Sequence, residues 1–178
     1  MRDFLIDTNI WGYWFNENTD PEHSNVLKRV NTLKEQCEKT NSSFRTWISS
    51  VTWGEIEYGY RSQIDKSASR EEQFRKFLQD VGPKEFIIDK HVASEYGKIR
   101  AIAFEKFGPN DKKTKYRRPE QLIDPITGRE LGIDENDLWL AAQAITYDLI
   151  LVTNDKFKRI REIAGDELHI ENWAEGNA

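Results

Sequence analysis

A chain of 178 residues is long enough for one domain with a real core and too short for two comfortable ones. Charged residues make up 32% and the hydrophobic set 38%, with 6 Trp and 9 Phe, a composition that excludes an intrinsically disordered chain. The net charge of -5 excludes a global basic footprint for nucleic acid, so any such contact must be local or run through metal ions that reverse the sign of an acidic site.

Phe4-Leu5-Ile6 is a short apolar run that ends in Asp7-Thr8-Asn9. A continuous run of this kind predicts a buried parallel strand, and open α/β sheets bind ligands beyond the carboxyl ends of such strands. Asp-Thr-Asn is also ordinary turn and capping chemistry, and on the hexapeptide alone that is the stronger reading. Ile10 to Phe15 predict a short aromatic helix. Asp20-Pro21-Glu22 is a helix start, and Val26, Val30 and Leu33 at helical spacing extend that helix over roughly 21–39. A second strand is expected over 46–51, a helix from Thr52 through Tyr60, and another over 69–80. A third strand is expected at Phe86-Ile87-Ile88-Asp89, and then a long helix ending near Phe107.

Residues 108–132 do not read as regular structure. They hold Pro109, Pro119, Pro125, Gly128 and Gly132, with a basic cluster of Lys112, Lys113, Lys115, Arg117 and Arg118. Such a loop is either a solvated insertion or an electrostatic contact for a nucleic-acid backbone, with Tyr116 available to stack on a base. Asp134 to Asp137 open an apolar helix rich in Ala. Leu149 to Thr153 predict a strongly buried strand ending in Asn154-Asp155, and a short basic helix and a last strand at 168–170 follow. Alternation of this kind predicts an α/β fold with a mostly parallel sheet covered by helices on both faces. The single Cys37 and the scattered His23, His91 and His169 give no disulfide or zinc spacing, and the histidines read as surface or edge residues. No leader and no apolar run near the ~20 residues of a membrane helix is evident, so a cytoplasmic protein is expected.

Four acids fall at strand ends or helix starts. Asp7 ends the first strand and Asp155 follows the fourth; Glu55 and Asp137 each sit in the first turn of a helix. Each has a structural explanation: Thr52-x-x-Glu55 is a capping box, Asp137 favours a helix N-terminus, and Asp155 can cap the helix at Phe157. Together they converge on one sheet edge, where carboxylates repel unless hard divalent cations neutralise them. Paired ions of that kind hydrolyse phosphodiesters.

Phe4-Leu-Ile-Asp-Thr-Asn9, Ser50-Val-Thr-Trp-Gly-Glu-Ile-Glu-Tyr-Gly59, Glu135-Asn-Asp-Leu-Trp-Leu-Ala-Ala142, Leu151-Val-Thr-Asn-Asp155 and the ending Ile170-Glu-Asn-Trp173 together resemble a PIN-domain ribonuclease of the VapC-like toxins. The resemblance runs nearly end to end and implies a single domain over 1–178 with a five-stranded sheet ordered 3-2-1-4-5. It implies a site of Asp7, Glu55, Asp137 and Asp155 holding Mg²⁺ or Mn²⁺, with Asp137 favoured over its neighbour Asp134. Thr8, Asn9, Thr153 and Asn154 match positions that orient carboxylates or phosphate. It implies cleavage of RNA, inhibition by a cognate antitoxin, and pairing into a homodimer, for which Trp11, Tyr13, Trp14 and Trp53 are either a face or, as bulky aromatics favour, core. The chain departs from the compact family pattern before Trp47 and at 108–132. Three other readings stand beside it. One is a non-catalytic acidic cleft docking a basic peptide. The second is a PIN nuclease in RNA processing. The third is a phosphatase with Asp7 as nucleophile, against which the Asn at position 9 argues.

Overall fold

In the computed structural model the described residues are 2–16, 20–62, 68–108, 118–124 and 126–176. The five strands are β1 (Arg2–Ile6), β2 (Phe44–Ser49), β3 (Lys84–Phe86), β4 (Ile150–Val152) and β5 (Ile170–Glu171). They form one parallel sheet in the order β3-β2-β1-β4-β5, as the resemblance implied. The helices among the described residues are α1 (Thr8–Phe15), α2 (Pro21–Thr40), α3 (Ser50–Ser62), α4 (Ala68–Val81), α5 (Lys90–Phe107), α6 (Glu135–Thr146) and α7 (Lys158–Ala164). None is long and apolar enough to cross a membrane.

The chain divides into two compact units. The first, Met1–Ile87 with Leu149–Asp155 and Ile170–Ala178, contains the whole sheet and α1 to α4. Phe4, Leu5 and Ile6 of β1 are all 0% exposed, which is what a central strand buried on both faces requires. Phe4 and Ile6 join Ile10, Trp11, Val26, Val30, Leu33, Ile48 and Trp173 in one apolar cluster. Trp11 is core and the half-buried Trp14 packs against it: their rings stack at 5.4 Å, and both meet Phe77 edge to face. Trp11 is fully enclosed and its indole N–H has no hydrogen-bond partner among the described residues. Trp11→Ala is therefore expected to cost about 3–5 kcal/mol in urea unfolding, and Trp11→Phe much less, since Phe keeps most of the volume without the unmet donor.

The second unit, Ile88–Asp148 with Lys156–His169, packs α5 on α6 and α7. Tyr96 and Trp139 stack with centroids 3.6 Å apart, and the Tyr96 hydroxyl donates to Glu135 Oε1 at 2.5 Å.

Several expected boundaries move. Helix α3 begins at Ser50, so Val51 is helical rather than the last strand residue; the Ser49 hydroxyl accepts from the Val51 amide and turns the chain. Strand β3 is Lys84–Phe86, paired with Trp47–Ser49, and Ile87 and Ile88 lie beyond it, exposed by 71% and 38%. The last strand is Ile170–Glu171 rather than 168–170. His23 is buried, its Nδ1 hydrogen-bonded to the Tyr13 carbonyl oxygen. The stretch expected to be irregular contains a 3-10 turn at Pro119–Gln121 and an antiparallel bridge between Ile123 and Glu130. Asp124 Oδ1 accepts from the Ile126 and Thr127 amides, and Gly128 takes φ 68 to close the turn. Of the basic cluster, Arg118 lies in this stretch, while Lys112, Lys113, Lys115, Arg117 and Tyr116 lie outside the described residues.

Candidate active site

Strands β1 and β4 are neighbours in register Phe4↔Ile150, Leu5↔Leu151 and Ile6↔Val152, so their carboxyl ends stand side by side. The Asp7 amide donates to the Val152 carbonyl at 3.0 Å, which extends the ladder one residue and fixes where the Asp7 side chain begins. That side chain is 5% exposed. Its Oδ1 accepts from the Thr8 amide at 2.6 Å, so Asp7 does cap α1, as its turn chemistry suggested. Its Oδ2 accepts from the Thr153 hydroxyl at 2.7 Å in a fully buried bond. The same hydroxyl oxygen accepts from the Asp155 amide at 3.0 Å, so Thr153 ties the two acid-bearing segments together.

Two further carboxylates reach this edge through side chains that follow Asp7. The Thr8 hydroxyl donates to Glu55 Oε2, from α3. The Asn9 amide Nδ2 donates to Asp155 Oδ2 at 3.0 Å, and its Oδ1 accepts from the Asn154 amide at 3.4 Å. The carboxyl of Asp7 is pushed up to about 6, first by burial, then by the negative charges of Glu55 and Asp155, against the lowering pull of the Thr153 hydroxyl and the Thr8 amide. Two simpler explanations fall away. Thr52 lies inside α3, two residues past its start, so the capping box does not describe Glu55. The residue that caps α7 is Phe157, without a side-chain bond, so Asp155 does not serve as that cap.

Asp137 belongs to the second unit, in the first turn of α6. The capping role at that helix is filled by Asp134, whose Oδ1 accepts from the Asn136 amide at 2.8 Å. Among the described residues no group of three or more Asp, Glu, His or Cys side chains stands at the spacing of a shared ion. The donor chemistry nonetheless fits a hard divalent cation: the carboxylates of Glu55 and Asp155 raise the proton affinity of Asp7 by the repulsion a cation would relieve.

Two residues outside the expected set shape the site. Asn154 Nδ2 donates to the Tyr13 hydroxyl at 3.2 Å, and Asn172 Nδ2 donates to Asn154 Oδ1 at 3.1 Å. Asn172 is itself fixed by the Ala174 and Glu175 amides, which donate to its Oδ1. The signal for Asn172 was its place in Ile170-Glu-Asn-Trp173; Tyr13 carried none beyond lying one helical turn past Asn9.

A parallel sheet in this order, with carboxylates gathered at the carboxyl ends of β1 and its neighbour β4, defines an open α/β fold with an acidic cluster at the edge where such folds bind ligands. The chain belongs to the PIN domain family, whose model matches residues 4–165. Among solved structures it is similar to a chain of VapBC2 from Rickettsia felis bound to a DNA fragment from their promoter, at 25% identity over 96% of this chain and 98% of that one, with a TM-score of 0.62. A chain of VapBC-1 from nontypeable Haemophilus influenzae matches at 19% identity over 97% and 99%, with a TM-score of 0.61. One from DNA-bound VapBC of Salmonella typhimurium matches at 22% over 97% and 99%, with a TM-score of 0.59. No curated protein matches the chain in sequence.

Proposed function

We propose that this chain is a Mg²⁺- or Mn²⁺-dependent endoribonuclease, working as a single domain in the cytosol as the toxin of a toxin–antitoxin pair. The observation that carries the reading is Asp7: a carboxylate 5% exposed, at the end of a central strand, pressed by two further acids in a chain of the PIN domain family. The similarity to chains from VapBC complexes supports a protein antitoxin as partner. Pairing into a homodimer belongs to the same proposal.

Asp7, Asp137 and Asp155 would hold the metal, with Glu55 either a further ligand or the group that positions the attacking water. When bound, the ion supplies charge neutralisation at phosphate and water of lowered pKa. The rest falls to the chain. Thr153 holds Asp7 Oδ2 and the Asp155 backbone in one arrangement. Thr8 and Asn9 do the same for the Glu55 and Asp155 carboxylates. Side chains held in this way need little reorganisation when charge develops on phosphate. Glu55, less enclosed than Asp7, would be the better exposed of the two to a water held for attack.

The test is cleavage of a structured RNA by the purified full chain, mapped by primer extension. Cleavage that requires Mn²⁺ or Mg²⁺ and stops with EDTA is expected. An acidic cleft that docks a basic peptide without chemistry would instead show no cleavage and no Mn²⁺ heat in calorimetry.

A further inference from the structure

Thr8 and Glu55 also line a groove of about 500 Å³ that extends past the carboxylates to residues with no part in the proposed chemistry. Helix α1 lines it with Thr8, Gly12 and Phe15, the residue Asn16 that follows α1 adds to it, and α3 lines it with Glu55, Gly59 and Tyr60. Those spacings place Gly12 and Gly59 each one turn beyond Thr8 and Glu55 on facing helices. Neither glycine has a positive φ, so the backbone does not require glycine at either position. A Cβ at Gly12 or Gly59 would meet no atom within 4 Å. Glycine in a helix is unfavourable relative to alanine. Two such positions facing one slot therefore keep space open beside the carboxylates.

The wall beyond the slot is aromatic. Phe15 meets Phe74 edge to face at 5.0 Å, and Tyr60 lies 6.0 Å from Phe74. The rim carries a cation: the Arg70 guanidinium lies over Phe15 at 5.9 Å and donates to the Asn16 side-chain oxygen. A groove walled by aromatic rings, with a guanidinium at one end, matches a base and its phosphate.

We propose that this groove seats a nucleotide adjoining the scissile phosphate of RNA, its base between Gly12 and Gly59 and a phosphate toward Arg70. The inference rests on the nuclease reading for the meaning of "scissile", but base binding is measurable apart from it. Dye-labelled RNA octamers are titrated in EDTA into full-length protein carrying Asp7→Asn, and fluorescence anisotropy is read. Adding Gly59→Leu is expected to weaken binding about tenfold, in line with the loss of one stacked base. Adding Gly54→Leu is expected to leave it within twofold. Gly54 is in the same helix, has equal open space, and does not line the groove. Tyr60→Ala should weaken binding and Tyr60→Phe preserve it. In wild-type background with Mn²⁺, Gly59→Leu should shift the preferred base beside the cut.

Equal RNA affinity with and without Gly59→Leu overturns the inference, as does the absence of RNA binding by the parent. So does loss of a basic antitoxin peptide on Gly59→Leu with RNA binding unchanged, which would assign the groove to a protein partner. Failure of wild type to cleave RNA overturns the nuclease reading instead and leaves the binding result to decide the groove.

Discussion

Asp7→Asn is expected to abolish RNA cleavage and, in the same protein, to raise stability above pH 6. The loss of rate should be at least about 10³-fold, because a metal ion contributes several kcal/mol to a transition state of developing negative charge. The gain in stability has a separate cause. Burial and the charges of Glu55 and Asp155 raise the Asp7 carboxyl from 3.8 to about 6 in the folded chain. The folded state therefore binds more protons than the unfolded state between those two values, and stability falls as pH rises through that window. Above about pH 6 the fold carries a buried charge that Asn lacks. At about 1.4 kcal/mol per pH unit this is worth up to about 3 kcal/mol, less what Asn loses at the Thr153 hydroxyl. Thermal unfolding in EDTA should show the variant more stable than wild type at pH 7.5 and equal to it near pH 4. Coincident melting curves at both pH values would remove the account of Asp7 as a charge held against its environment. Cleavage at the wild-type rate would remove it from the site altogether.

Part of this was legible in the sequence and part was not, for physical reasons. The strands β1 and β4 read clearly because both are continuous apolar runs, and central parallel strands are buried on both faces. The strand β3 did not. Its apolar letters, Phe86-Ile87-Ile88, invited a strand there, but an edge strand has one neighbour, and its register against Trp47–Ser49 selects Lys84–Phe86 instead. Single acids were equally ambiguous. Asp7 caps α1 and also sits in the acid cluster, so its turn chemistry and its functional reading were never exclusive. Glu55 and Asp155 lost their capping explanations only once the starts of α3 and α7 were fixed, a matter of one or two residues that propensity does not resolve. Tyr13 lies far from Asn154 in sequence, and a hydrogen bond between distant side chains leaves no local pattern; Asn172 stood out only through its place in Ile170-Glu-Asn-Trp173.

The sharper assignment concerns Asp137, which competes with Asp134 three residues earlier. The two carry the same charge at the same helix start, but they are not doing the same thing. Asp134 is occupied as a cap, its Oδ1 on the Asn136 amide at 2.8 Å, and a cap of this kind is worth about 1 kcal/mol. Asp137 lies in the first turn, where a capping explanation is already filled by its neighbour. Asp134→Ala is therefore expected to lower stability by about 1 kcal/mol and to leave Mn²⁺-dependent cleavage within a few-fold of wild type. Asp137→Asn is expected to bring cleavage down by the same order as Asp7→Asn. Calorimetry adds a readout independent of turnover, since Asp137→Asn should weaken Mn²⁺ binding and Asp134→Ala should not. An inactive, folded Asp134→Ala beside an active Asp137→Asn would move the ligand to the cap. The helix start would then hold one acid with two roles, cap and ligand, the combination proposed for Asp7 at α1.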